Sequence, residues 1–202
     1  MKTVVLKLGG SLYDLPDLGQ RIATLVEQHA EHRFLIFPGG GDAADLVRGW
    51  QQRFRWDDER SHSVALASLD LNATMLAHVL HRGLMAYDHE HAEAAWQQRA
   101  CPVLAPTQFL RLHDFGDLPH DWTVTSDSLA AWTAVRWPAE ELWLCKSVPR
   151  PTSLADAVNE GVVDPHFAEL APRLPCVRWC DLRTGSRVDE LKRARSASDG
   201  SL

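Results

Sequence analysis

Two strand-and-glycine segments decide the fold of this chain: Val4-Val5-Leu6-Lys7-Leu8-Gly9-Gly10-Ser11 and Phe34-Leu35-Ile36-Phe37-Pro38-Gly39-Gly40-Gly41-Asp42. In each, a run of apolar residues predicts a buried strand, and the glycines that follow predict a tight turn into a helix. Such a turn directs backbone N–H groups and a helix N-terminus at one point, which favours an anion. Because there are two such turns, and the first carries Lys7, the sequence indicates a site that holds two phosphate-bearing groups.

The rest of the chain continues this alternation of strands and helices. The pattern predicts strands at 3–8, 33–37, 102–105, 141–145 and 176–179, and helices at 15–30, 42–54, 61–82, 89–98 and 127–136, with short helices within 153–171. Ser126 or Asp127 is the expected cap of the helix at 127–136. Strands that alternate with helices predict an α/β fold around a parallel sheet with right-handed crossovers.

The composition is that of an ordinary soluble protein. The 202 residues are 45% hydrophobic and carry a formal net charge of −6, and this length predicts a single domain over 1–193. The chain becomes charged and then serine-rich after Asp181, which predicts a flexible tail over 194–202. The negative net charge argues against a general nucleic-acid-binding protein, which usually has a basic face, so no nucleic-acid partner is expected. No apolar run approaches the roughly 20 residues that cross a bilayer, so no membrane partner is expected. The N-terminus enters a strand directly, which predicts a cytoplasmic protein.

Four segments taken together carry a family resemblance. They are Lys7-Leu8-Gly9-Gly10-Ser11, Pro38-Gly39-Gly40-Gly41, Thr125-Ser126-Asp127-Ser128-Leu129-Ala130-Ala131 and Leu144-Cys145-Lys146-Ser147-Val148. In this order and spacing they resemble the amino acid kinase family, which includes acetylglutamate, aspartate, uridylate and isopentenyl phosphate kinases. The resemblance implies a three-layer α/β/α sandwich around a mainly parallel sheet. It also implies an ATP-dependent kinase that uses Mg²⁺ and assembles as a homo-oligomer.

The resemblance also implies roles for individual residues. Lys7 would hold the migrating phosphoryl group, Lys146 would add a second cation from the nucleotide side, and Asp127 would orient both lysines and contact Mg²⁺. Phosphoryl transfer needs mainly positioning and neutralisation of charge, which these side chains provide. From the residues alone, Asp127 also fits a helix cap and Lys146 a solvated strand end.

The remaining candidate residues divide between the two substrates. Those assigned to the ATP phosphates are Gly9, Gly10, Ser11, Ser126 and Ser147, and those assigned to the acceptor are Gly39, Gly40, Gly41, His62 and Asp70. His62 stands at the start of the long helix predicted at 61–82. Asp70 and Asn72 interrupt the apolar pattern of that helix and would need partners if buried. They are therefore expected in the acceptor pocket or at a contact with another subunit.

The short chain and the helix start Ser61-His62 look most like one small branch of the family. Its members act on aminomethylfuranmethyl phosphate in methanofuran-type cofactor biosynthesis, extending a phosphate monoester to a diphosphate with ATP. A small phosphorylated acceptor is therefore expected. Two alternatives stay open at this point. One is a family kinase with a carboxylate or isoprenoid phosphate acceptor, and the other is a nucleotide-binding storage or regulatory subunit that transfers no phosphate.

Overall fold

The structure is a computed structural model that describes residues 1–185 and 187–191. Its centre is a seven-stranded sheet in the order β3-β4-β2-β1-β5-β6-β7, parallel except where β7 pairs antiparallel with β6. The strands are β1 (Lys2–Leu8), β2 (His32–Phe37), β3 (Gly83–Ala86), β4 (Cys101–Leu104), β5 (Glu141–Lys146), β6 (Val177–Asp181) and β7 (Val188–Glu190). The predicted end of the domain at 193 and the predicted tail over 194–202 lie outside the described residues.

Helices cover both faces of this sheet. They are α1 (Leu18–Gln28), α2 (Gly41–Phe54), α3 (Asp58–Val79), α4 (His89–Gln97), α5 (Pro106–Leu112), α6 (Ser126–Arg136), α7 (Leu154–Asn159) and α8 (Phe167–Leu170). Short 3-10 helices follow β1 at Gly10–Leu12 and α8 at Ala171–Arg173. The predicted α/β class and three-layer arrangement are confirmed. Over residues 1–185 and 187–191, no helix combines the length and apolar composition needed to cross a membrane.

The alternation of side chains along β1 decides where Lys7 points. Val4, Leu6 and Leu8 pack into the apolar cluster that contains α1, whereas Val5 packs into the cluster on the opposite face, which contains α6. Successive side chains of a strand point to opposite faces of its sheet. Lys7 therefore shares the face of Val5 and is directed towards α6.

The structure differs from the sequence prediction mainly in short elements. β3, β7 and α5 were not predicted, and β7 adds a strand after the one predicted at 176–179. No helix was predicted over the polar stretch 55–60, but it holds the start of α3, where the Asp57 carboxylate accepts a hydrogen bond from the Arg60 N–H at 2.9 Å. Strands of three or four residues are too short to show a reliable alternation of apolar residues.

Candidate active site

The two glycine turns predicted from the sequence lie against each other. Strands β1 and β2 are parallel neighbours in register, with Lys7 opposite Phe37, so their carboxyl ends leave the sheet side by side. A Cβ atom placed on Gly10 would lie 2.1 Å from the Gly41 nitrogen, and one on Gly39 would lie 2.4 Å from the Leu8 oxygen. The backbones therefore meet at a distance that only glycine permits.

The backbone N–H groups of these turns fall into two sets. Gly9 N–H donates to the Cys145 carbonyl at 2.7 Å, and Gly39 N–H donates to the Tyr13 hydroxyl at 2.7 Å. The prediction that these two N–H groups face phosphates is wrong, because they fix the loops to their neighbours. In the described part of the chain no acceptor pairs with the remaining N–H groups, which are those of Gly10, Ser11, Gly40 and Gly41. These four are free to bind an anion.

Asn72, on α3, fixes the second glycine turn by hydrogen bonds to its backbone. Its Nδ2 donates to the Gly39 and Gly40 carbonyls, both at 2.7 Å. The Tyr13 hydroxyl also donates to the Gly39 carbonyl, at 3.1 Å, and burial raises the pKa of this tyrosine. Asn72 was expected to line the acceptor pocket or a subunit contact. It instead positions the loop, and its place in an apolar stretch of α3 was the sequence signal for a buried partner.

Lys7, Asp127 and Lys146 form one buried ionic cluster. The Lys7 Nζ lies 2.7 Å from Asp127 Oδ1, in the geometry of a close ion pair, and the Lys146 Nζ donates a hydrogen bond to Oδ2 at 2.7 Å. The three residues are only 3%, 5% and 8% exposed, respectively. Two ammonium groups and one carboxylate leave a net charge of +1. Since a buried, uncompensated charge is unfavourable, the cluster favours the arrival of an anion.

The pKa shifts in this cluster follow from burial and from the neighbouring charges. Burial lowers the pKa of Lys146 to about 8; the attraction of Asp127 opposes this shift, and the repulsion of Lys7 adds to it. Burial alone would raise the pKa of Asp127. The ammonium groups of Lys146 and Lys7 outweigh that effect and hold its pKa below the usual range. Asp127 is therefore a carboxylate at neutral pH. Lys146 is mostly protonated at that pH, but its pKa lies only about one unit above it.

Asp164 supports this cluster and was not found from the sequence. It accepts hydrogen bonds from the N–H and hydroxyl groups of both Thr125 and Ser128 at the start of α6. It also accepts from the N–H of Phe167 at the start of α8. The prediction that Ser126 or Asp127 caps this helix is wrong. Thr125 occupies that position with no side-chain cap bond, and the Asp164 carboxylate accepts from the N–H groups of Thr125 and Ser128 instead.

Loop 161–165 also reaches Lys146. The Val162 carbonyl accepts a second hydrogen bond from the Lys146 Nζ at 2.7 Å. Asp164 and Val162 thus join the N-terminus of α6 to the end of β5. The sequence contained one indication of this role, an aspartate immediately before Pro165 and shortly after Gly161.

Two of the predicted phosphate-binding serines lie together. The hydroxyl oxygens of Ser11 and Ser147 are 2.7 Å apart, although one follows β1 and the other follows β5. Gly9 makes this close approach possible, because a Cβ there would lie 3.1 Å from the Cys145 oxygen and 3.4 Å from the Lys146 side chain. Gly9 is therefore a packing residue at the junction of the two strand ends.

A cavity of about 520 Å³ opens over the glycine turns and the ionic cluster. Its wall includes Gly10, Ser11, Gly40, Gly41, His62, Ser126, Asp127 and Lys146, which brings most of the predicted site residues together. Asp70 is not part of this wall. Its Oδ1 accepts a hydrogen bond from the Thr107 N–H at 3.1 Å, near the start of α5. The prediction that Asp70 contacts the acceptor is wrong, because the Asp70 carboxylate binds an N–H group of the unpredicted helix α5.

His62 lies in the cavity wall on α3. It is 8% exposed, and its ring stacks on His120 with 4.8 Å between centroids and on Phe115 with 6.0 Å. Burial and the nearby His120 lower the pKa of His62 to about 4, so its imidazole is neutral at physiological pH. Its Nε2 is buried and finds no hydrogen-bond partner among the described residues.

The expected contact between Asp127 and Mg²⁺ does not fit this arrangement. Both oxygens of Asp127 are engaged by lysines. Within residues 1–185 and 187–191, no group of three or more histidine, cysteine, aspartate or glutamate side chains is placed to hold a metal ion. Magnesium in kinase sites is often bound through one or two carboxylates together with substrate phosphates, so the protein part of such a site is small.

Comparison with known proteins assigns the family. The model of the amino acid kinase family matches residues 2–150, so this chain belongs to that family. Uridylate kinase from Archaeoglobus fulgidus shares the fold with a TM-score of 0.62 and 16% identity, over 96% of this chain and 92% of that one. Aspartate kinase from Synechocystis matches with a TM-score of 0.61 and 13% identity, over 96% of this chain and 41% of that one.

One curated relative is similar in sequence. It is the [5-(aminomethyl)furan-3-yl]methyl phosphate kinase of Methanocaldococcus jannaschii, which is 28% identical over 128 residues. The alignment covers 62% of this chain and 57% of the relative, so it spans little more than half of that protein's length. The family that the four motifs resemble is confirmed, and this relative bears the name of the branch to which the sequence looks most similar.

Proposed function

We propose that this protein is an ATP-dependent phosphotransferase that extends a small phosphate monoester to a diphosphate. The observation that carries the proposal is the buried cluster of Lys7, Asp127 and Lys146, with its net charge of +1. Asp127 and Lys146 line the cavity beside free backbone N–H groups, and Lys7 lies behind them against Asp127. Phosphoryl transfer depends on positioning and on electrostatic stabilisation of charge that develops in the transition state. A preorganised cationic cluster in a buried site supplies both.

The pairing of the two glycine turns supports a phosphorylated acceptor. Gly10 and Ser11 offer free N–H groups on one side, and Gly40 and Gly41 offer them on the other. In the proposed reaction the first turn would bind the phosphates of ATP and the second would bind the phosphate of the acceptor. Lys7, from the strand that ends at the first turn, would hold the phosphoryl group as it moves between them.

The first candidate acceptor comes from the curated relative. That protein is named for [5-(aminomethyl)furan-3-yl]methyl phosphate, and it is 28% identical to this chain where the two align. We therefore propose this ester, or one of the same size and chemistry, as the acceptor. The cavity of about 520 Å³ lies within the range typical of small-molecule sites.

The test is a direct search for the product. The protein is incubated with ATP, Mg²⁺ and one acceptor at a time: the aminomethylfuran ester, isopentenyl phosphate, UMP, aspartate or acetylglutamate. The proposal predicts that ³¹P NMR detects ADP and a new diphosphate ester with the first acceptor. ADP formed only with a carboxylate acceptor would contradict a phosphate acceptor. Tight ATP binding without ADP from any acceptor would contradict a kinase and favour a nucleotide-binding subunit. The Lys7→Met variant, which lacks the proposed catalytic ammonium group, gives the background level of ADP formation.

A further inference from the structure

The cavity extends along helix α3 and is called the channel below. Asn72, near one end of the channel, holds the glycine turn, and the residues that line the wall towards the start of the helix recur every three or four positions. These are Leu69, Leu66, His62 and Asp58. With a rise of 1.5 Å per residue, His62 lies about 15 Å and Asp58 about 21 Å along the axis from Asn72. One face of α3 therefore runs from the phosphate end to the far end of the cavity.

The two ends of this channel carry opposite charge. Lys7 and Lys146 give the glycine end its net positive charge. Towards the start of α3 the wall carries the carboxylates of Asp58 and Asp121, whereas Asp45 lies one helical turn after Gly41. Arg48 is the one cation there among the described residues, and it is paired with Asp45 at 2.6 Å and lies over the Trp122 ring at 4.2 Å.

Because Arg48 and Asp45 neutralise each other, Asp58 and Asp121 leave this far end with a net charge of −2. The middle of the channel is apolar and is lined by Leu66, Leu69 and Val124. The channel is therefore shaped for a molecule with an anion at one end, an apolar body and a cation at the other end.

Asp121 is the carboxylate best placed to receive such a cation. Its Oδ1 accepts from the N–H and hydroxyl groups of Thr123, and within the described chain its carboxylate forms no salt bridge. Asp121 also lies close enough to His62 to oppose the fall in the pKa of that ring. His62 is more than nine-tenths buried, lines the same cavity, and has a buried Nε2 without a partner. An unsatisfied buried nitrogen next to an unpaired carboxylate indicates that a polar ligand group belongs there.

We infer that Asp121, beside His62, binds the protonated amine that the proposed acceptor carries opposite its phosphate, and that Asp121 is the residue that selects for this amine. The inference rests on the proposed function and adds a specificity determinant to it. A charge-assisted hydrogen bond from the ammonium group would favour the amine-bearing ester. An ester without the amine would bury the Asp121 carboxylate without a partner, which is unfavourable. The attraction between the ammonium group and Asp121 favours the ester with the amine, and the desolvation of Asp121 disfavours the ester without it.

Two esters with the same ring test this inference. They are [5-(aminomethyl)furan-3-yl]methyl phosphate and (5-methylfuran-3-yl)methyl phosphate, and kcat/KM is measured for each with saturating ATP. The wild-type protein is expected to prefer the amine by about tenfold or more, the scale of a hydrogen bond to a charged group. Asp121→Asn keeps the oxygen that accepts from Thr123 but removes the charge. It should reduce the preference to within about threefold by raising KM for the amine alone.

The control is Asp114→Asn, an exposed aspartate of the same connection that does not line the cavity. This variant should retain the full preference. Equal kcat/KM for the two esters in the wild type, or a preference that survives in Asp121→Asn, would overturn the inference and leave the kinase intact. If neither ester is phosphorylated, the furan ester fails as the proposed acceptor. Calorimetry with a non-hydrolysable ATP analogue then decides the inference separately, because equal Kd values for the two esters would overturn it.

Discussion

The two halves of the candidate site are built in different ways. The glycine half consists of two contiguous strand–turn–helix segments whose backbones touch at Gly10 and Gly41. The ionic half assembles Lys7, Asp127 and Lys146 from three elements, and loop 161–165 fixes two of them, through Asp164 to α6 and through the Val162 carbonyl to Lys146 on β5. The first half is specified locally by a short motif, whereas the second exists only after the sheet and α6 have come together.

This difference predicts different sensitivities. In the glycine half the contacts are between backbones, so added volume has no flexible side chain to displace. In the ionic half the lysine stems can adjust, but a buried charge without its partner is strongly unfavourable. Substitutions that change size should therefore act on the turns, and substitutions that change charge should act on the cluster.

The largest expected effect is that of Lys7→Met. Removing this ammonium group leaves Asp127 and Lys146 as a neutral pair, so the fold is expected to persist while turnover falls by about two orders of magnitude or more. Steady-state kinetics and thermal unfolding measure the two effects. Lys2→Met, at the opposite end of the same strand, is the control and should keep its turnover. Normal turnover in Lys7→Met would remove Lys7 from the mechanism.

Gly10→Ala tests the glycine half. The added methyl group would meet the Gly41 backbone at 2.1 Å, so the turns must separate, and a loss of about 1–3 kcal/mol in the free energy of unfolding is expected together with weaker ATP binding. Gly49→Ala is the matched control, since nothing lies within 4 Å of its added Cβ in α2. It should raise stability by up to about 1 kcal/mol. Equal behaviour of the two variants in chemical denaturation would contradict the close contact of the turns.

Asp164→Asn tests whether the ionic half depends on its support. The amide can accept through one oxygen only, so at least one of the N–H and hydroxyl groups of Thr125, Ser128 and Phe167 loses its acceptor. A loss of about 1–3 kcal/mol in stability is expected. Because α6 carries Asp127, kcat should fall as well, even at temperatures where the variant is fully folded. Asp156→Asn, on α7, is the control, and an unchanged kcat in Asp164→Asn would limit Asp164 to a structural role.

The smallest effect is a dependence of ATP affinity on pH. The free protein has a Lys146 pKa of about 8, and only the protonated amine attracts phosphate. Affinity should therefore be constant below pH 7 and should fall as pH rises through 8. Lys7→Met should move this fall to higher pH, since the repulsion of Lys7 contributes to the lowered pKa. Calorimetry between pH 6.5 and 9.5 measures both (the range is about 1.5 pH units on either side of that pKa). A flat profile would contradict a titrating Lys146.

The contrast between the locally encoded glycine half and the assembled ionic half explains which parts of the site the sequence could predict. Contiguous apolar residues and glycines specified β1, β2 and their turns, and the alternation along β1 places Lys7 on the α6 face. Asp70 was misassigned because α5, whose N–H group it binds, follows a four-residue strand that gives little pattern. Asp164 was missed because its partners on α6 lie 36 to 39 residues away. Gly9 N–H was misassigned because its acceptor, Cys145, belongs to another strand.

A crystal structure of the protein with a non-hydrolysable ATP analogue, Mg²⁺ and the aminomethylfuran ester tests the central claim most directly. The account predicts that phosphate oxygens of the nucleotide accept from the N–H groups of Gly10 and Ser11, and those of the ester from Gly40 and Gly41. The Nζ atoms of Lys7 and Lys146 should lie within about 4 Å of the phosphate groups between them. Phosphates bound away from these turns, or both lysines still engaged only with Asp127, would contradict it.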